Sequence, residues 1–181
     1  MSERTELGAF RSKCSCEACT LNCRYMPGNL IPADLERTIS PGADAFAWSE
    51  KNLLASPGAI ALDTRSGQTF RIPTLVPAVK PDGECIHLTA DRKCDIHDVA
   101  PFGCAFFDYR SSAYDNLSHR GLIAIVDDIN AGGLYSRIWR HLDAHGFRQQ
   151  GPEVLRARMH EAMEKDAEAM GATQRKEGRQ R

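Results

Sequence analysis

At 181 residues, with 42% hydrophobic and 26% charged side chains, the chain has the size and composition of one globular domain. Its net charge of −1 supplies no basic stripe with which to grip DNA or RNA. No apolar run reaches the roughly 20 residues of a membrane helix, since GLIAIV at 121–126 ends in Asp127 and Asp128.

Residues 1–13 read as a polar tail, and MSERTELGAFRSKCSCEACT holds no apolar segment of the kind that directs export, so the cytoplasm is the expected location. Four cysteines follow within ten positions, in CSCEACTLNC. In RYMPGNLIPADLERTI, Pro32 opens a short helix running to about Ile39. Ser40-Pro41 starts another through DAFAWSEKNLL, with Phe46, Ala47, Leu53 and Leu54 as its apolar stripe. GAIALDTRSGQTFRIPTLVPAV then predicts a hairpin turning at Arg65-Ser66-Gly67, with Pro73 and Pro77 moving its second strand to a sheet edge or ending it early.

ECIHLTADRKCDIH predicts a tighter hairpin around Thr89 to Arg92, with one cysteine on each arm. Pro101 and Gly103 bend the chain just before Cys104. Leu117 to Asn130 reads as a helix interrupted at Gly132-Gly133. A further helix carries Leu134, Ile138, Trp139 and Leu142 on one face and stops at Gly146. Pro152 opens a last one, with Leu155, Met159, Ala162 and Met163 sharing a face, before a basic tail at 171–181. The expected fold is a small single α+β domain: short β-hairpins around a cysteine site at 14–110, and a helical part of the same domain at 111–170.

Seven cysteines, an odd number, with no export signal favour metal binding or redox chemistry over a disulfide framework. They fall into C14-x-C16-x2-C19-x3-C23 and C85-x8-C94-x2-H97-x6-C104, separated by about sixty residues. Thiolates are soft anionic donors, and short spacings such as Cys16-x2-Cys19 and Cys94-x2-His97 let one turn offer two donors to one ion. The candidate ligands are therefore Cys14, Cys16, Cys19, Cys23, Cys85, Cys94 and Cys104, with His97 as an eighth, and the two halves are expected to fold together. Zinc would use sets of four; a 4Fe-4S cluster would use four thiolates, with one drawn from the distant half. Cys85 taken alone also fits a buried small hydrophobe.

The two blocks CSCEACTLNCRYMPGNLIPADL and ECIHLTADRKCDIHDVAPFGCAFF resemble the YkgJ-like CxxCxxCC cysteine-cluster family. Cys85, Leu88, Cys94, Ile96, His97, Pro101 and Cys104 occupy the places of that family's second half, and Pro27-Gly28 with Pro32 match a sub-branch of its first. Adjacent cysteines are absent here, Ala105 stands where the family often has arginine, and Ala100 stands where it has an aromatic or basic residue. The resemblance implies chelation of zinc or iron, or an iron-sulfur oxidoreductase.

Elsewhere, His141 and His145 at the end of a helix suit C-terminal capping, with a metal pair as the alternative, and His119 and His160 carry no motif. His87 lies between Cys85 and Cys94, where it could support a ligand from outside. Asp127 with Asp128, Asp108 with Tyr109, and Asp63 are the carboxylates to consider; the adjacent pair points about 100° apart and reads as a solvated face or helix-end charge. The functional readings are a metal-binding protein with an unknown protein partner, an iron or iron-sulfur redox component, and a zinc-stabilised interaction module. Nucleic acid and membrane are not expected partners.

Overall fold

A computed structural model of the chain describes residues 3–4, 9–10, 23–25, 27–63, 65–106, 114–151, 153–161 and 163–164. The fold is a small α+β arrangement. Glu3–Arg4 (β1) pairs antiparallel with Ala9–Phe10 (β2), so the N-terminal stretch carries a two-residue ladder. Residues 23–25 are helical, and Pro32–Thr38 forms α1 with proline in its first turn, as the sequence predicts. The Asp34 carboxylate reaches back to accept the Ile31 N–H at 2.9 Å, which satisfies one donor that the helix start leaves open.

Ala45–Asn52 forms α2. Its cap is Asp44, whose Oδ1 accepts from Phe46 and Ala47 at 2.9 and 3.2 Å, so the helix begins a turn later than Ser40-Pro41 suggested. Leu53 and Leu54, expected on this helix, instead open strand β3 (Leu53–Leu62), where they pair with Pro77 and Val76 of β4 (Thr69–Pro77). Tertiary pairing outweighs the helical period here, and Leu53 is buried in the hydrophobic core. Pro73 lies inside β4, as an edge strand allows, and Pro77 is the residue at which the strand ends.

The register slips between Ser56 and Ala59. Gly58 takes φ +94° in that bulge, where a Cβ would fall 1.9 Å from the Ile72 carbonyl oxygen, so only glycine fits. Beside it the Ser56 carbonyl accepts the Trp139 indole N–H at 2.9 Å. The expected cysteine-bearing hairpin at 84–97 is reduced to one isolated bridge, Leu88 with Cys94, and Cys85 bridges Val79 outside it.

Phe102–Phe106 forms α3, Tyr114–Ala131 forms α4 and Leu134–Ala144 forms α5. The Gly132-Gly133 break is bridged by Asp128 of α4, whose Oδ1 accepts the Ser136 N–H at 2.8 Å and thereby caps α5. The core joins Leu30, Ile31 and Leu35 to Leu53, Ile72 and Leu75 of the hairpin and to Ile125, Tyr135, Ile138 and Leu142 of the late helices. Tyr135 sits at its centre: its hydroxyl accepts the Leu75 N–H at 2.7 Å and donates to the Leu30 carbonyl at 2.9 Å.

The chain forms two compact units, Met1–Gln149 and Gln150–Arg181. The 111–170 stretch thus contributes α4 and α5 to the first and a helix to the second, over residues 153–161 and 163–164. In that helix Leu155 and Met159 are half-buried and Met163 is exposed, while Ala162 lies outside the described residues. Among the described residues no helix is long and apolar enough to cross a membrane.

Candidate metal centre

Cys85 and Cys94 each open a turn of the same kind. The cysteine carbonyl accepts the N–H three residues on, Leu88 to Cys85 at 3.0 Å and His97 to Cys94 at 3.2 Å. The two turns lie against each other. Leu88 bridges Cys94, the Asp95 N–H donates to the His87 carbonyl at 3.0 Å, and His87 Nδ1 stands 3.0 Å from Asp95 Oδ1. Between them Thr89 closes the loop: its N–H donates to the Lys93 carbonyl at 2.8 Å and its Oγ1 meets Asp91 Oδ1 at 2.6 Å. Hydrogen bonds from Thr89 and then Lys93 hold the Asp91 carboxyl down at about 2.

The N-terminal half arrives through Cys23. The Cys85 N–H donates to the Cys23 carbonyl at 2.7 Å, and Arg24 Nε meets Glu84 Oε1 at 3.2 Å. Cys104 is held to the same chain a few residues further on. A Cβ on Gly28 would lie 2.1 Å from the Cys104 nitrogen, and one on Gly103 would lie 2.4 Å from the Asn29 nitrogen. The two glycines therefore let Pro27-Gly28-Asn29 press directly on Phe102-Gly103-Cys104, where the Gly103 N–H donates to the Asn29 carbonyl at 2.7 Å. Asp34 fixes the same turn by accepting the Phe102 N–H at 2.8 Å.

Burial pushes the Cys85 thiol up to about 12. The His87 backbone N–H directed at its sulfur lowers it, while Cys23, Cys94 and Asp95 raise it as like-charged neighbours. Crowded thiolates in a buried place are unfavourable alone and favourable around a soft cation, which cancels their repulsion and the cost of desolvation. The donor chemistry therefore suits zinc or iron. Among the described residues, however, no group of three or more His, Cys, Asp or Glu side chains is arranged to hold an ion. Cys14, Cys16 and Cys19 lie outside the described residues, as do Asp108 and Tyr109.

His97 is half-buried at the start of a 3-10 turn, His97–Val99, tied to Cys94 by its backbone. The other histidines have local roles. His145 ends α5 with Nδ1 2.8 Å from the His141 carbonyl, and His141 Nε2 stands 2.8 Å from Glu50 Oε1. His119 and His160 are exposed. Asp127 is exposed, and Asp63 closes the β3–β4 turn, where the Ser66 hydroxyl and the Arg65 N–H keep its carboxyl below the ordinary range. Sequence reasoning missed Asp34, although an acid three residues into a helix is the capping-box position. It also left open the pairing of His87 with Asp95, whose only signal is their near-equal offset from Cys85 and Cys94.

Fold and site together define a small α+β chain in which two cysteine-bearing turns receive the end of an N-terminal cysteine cluster. No protein family, curated protein or solved structure matches the chain.

Proposed function

We propose that this protein binds zinc or iron through a two-part cysteine cluster, as its resemblance to the YkgJ-like family implies. The observation that carries the reading is the hydrogen bond from the Cys85 N–H to the Cys23 carbonyl, which joins two cysteine groups about sixty residues apart in sequence. Cys23, Cys85 and Cys94 would hold the metal with Cys14, Cys16 and Cys19 from the N-terminal half, and Cys104 and His97 complete the candidate donors. Zinc would cross-link the two halves; iron bound with sulfide would add one-electron chemistry. Thiols kept free for a metal require a reducing compartment, so the cytoplasm is part of the reading.

Protein purified without oxygen tests it by metal content and visible spectrum. About one or two zinc per chain in colourless protein supports the zinc form, whereas a brown protein with iron and acid-labile sulfide supports the redox component. Cys94→Ser is expected to lower metal content in either case. Protein free of both metals, or a variant that keeps its full complement, would overturn the assignment.

A further inference from the structure

A cleft of about 220 Å³ lies between β4, the end of α4 and α5, lined by Pro73, Ile129, Tyr135, Ser136, Trp139 and Arg140. Most of its lining offers hydrocarbon and ring surface, because the polar atoms there are already committed. The Tyr135 hydroxyl bonds Leu75 and Leu30, the Trp139 indole N–H bonds the Ser56 carbonyl, and the Ser136 hydroxyl donates to the Gly133 carbonyl at 3.0 Å. Tyr135 and Ser136 are buried, so this wall is preformed.

Arg140 is different. It is exposed, and its Nε and Nη2 reach only neutral acceptors on its own helix, the Ser136 carbonyl at 3.2 Å and the Ser136 hydroxyl at 3.3 Å. Carboxylates on or against α5 are engaged elsewhere: Asp128 caps the helix, Asp143 pairs with Arg148 and Glu50 stands against His141. A guanidinium carries five N–H donors, so most of the capacity of this cleft-lining side chain is left over, and it has no acid partner among the described residues.

An apolar slot with one unpaired cation at its side is complementary to a flat apolar body carrying one negative charge. Cavities of roughly 150 Å³ accept benzene, so this one has room for a single ring and a short arm. Two aromatic walls favour a ring over an aliphatic chain through offset or edge contacts. We propose that the cleft is a binding site for a small single-ring aromatic carboxylate, its ring against Trp139 and Pro73 and its carboxylate on the Arg140 guanidinium. This site is independent of the cysteine cluster.

The matched pair phenylacetate and phenylacetamide tests it on the full chain. Nitrogen–proton NMR follows the Trp139 indole and Arg140 Nε–H signals, with Trp48→Phe distinguishing the two indoles. Phenylacetate is expected to shift both signals saturably and to bind about fivefold more tightly than the amide, the scale of one partly exposed ion pair. Arg140→Gln should remove that difference and leave amide binding unchanged, with the remaining spectrum showing that the fold is intact. Absence of saturable shifts, equal binding of acid and amide, or a preference for the acid that survives Arg140→Gln would each overturn the proposal.

Discussion

Asp34 is fully buried, and its Oδ2 accepts two backbone N–H groups, from Ile31 at 2.9 Å and Phe102 at 2.8 Å, while Oδ1 pairs with Arg37. One side chain therefore caps α1 and fixes the turn that carries Cys104. Asp34→Ala leaves both N–H groups buried without an acceptor, and thermal or denaturant unfolding should show a loss of about 3 kcal/mol. Asp34→Asn can keep its amide oxygen on the two N–H groups but turns its NH2 toward the Arg37 guanidinium where the carboxylate oxygen stood, for a smaller loss of about 1–2 kcal/mol. Equal losses in the two variants would mean that the ion pair, not the backbone bonds, is what Asp34 contributes. A second carboxylate makes a pH prediction. Asp91 titrates at about 2 in the folded chain, below the ordinary value near 4, so its contribution to the Thr89–Lys93 loop is complete above about pH 4 and disappears as pH falls through 2. Carbon NMR of the Asp91 carboxyl should show that low midpoint, and Thr89→Ala should raise it, because the Thr89 hydroxyl is its largest cause.

Between elements, the segment after Cys23 lies backbone to backbone against the segment before Cys104. Gly28→Ala and Gly103→Ala place a methyl group 2.1 and 2.4 Å from backbone nitrogen atoms, which cannot yield as a flexible side chain would. Each substitution should cost about 2 kcal/mol or more in unfolding experiments and loosen Cys104, measured as faster alkylation in the reduced protein. A methyl group tolerated without either effect would show that the two segments separate readily. The sequence revealed the elements whose causes are local. Pro32 marked the start of α1, Gly67 the hairpin turn and Gly132-Gly133 the break between α4 and α5. Leu53 and Leu54 were misread because their helical spacing is also compatible with a strand, and the pairing with Val76 and Pro77 that decides between the two is contributed by residues over twenty positions away. The cysteine pattern indicated that two regions meet; it contained nothing about Asp34 reaching Phe102 or about glycine packing on glycine.

For the molecule as a whole, two cysteine halves that fold together would make a metal the staple of an N-terminal region with little apolar content of its own. Among the described residues, the core from Leu30 to Leu142 instead contains no cysteine, and it is closed by Tyr135 joining α5 to β4 and to the segment before α1. The cysteine turns attach to the end of the hairpin through the Val79–Cys85 bridge and the Ile86 N–H on the Ala78 carbonyl at 3.0 Å. A ligand stabilises only the openings that release it, by an amount set by its concentration over its dissociation constant, and a core that stays closed without the ligand is not among them. Stripping the proposed metal with a chelator under reducing conditions should therefore leave most of the far-ultraviolet circular dichroism in place. Hydrogen exchange should accelerate at the Cys85 amide, which bonds the Cys23 carbonyl, and at the Leu88 amide, which bonds within the Cys85 turn, and stay slow at Leu75 and Ile138 in the core. If all four amides lost protection together, the metal would be supporting the whole fold, and the independence of the core argued from its composition would be wrong.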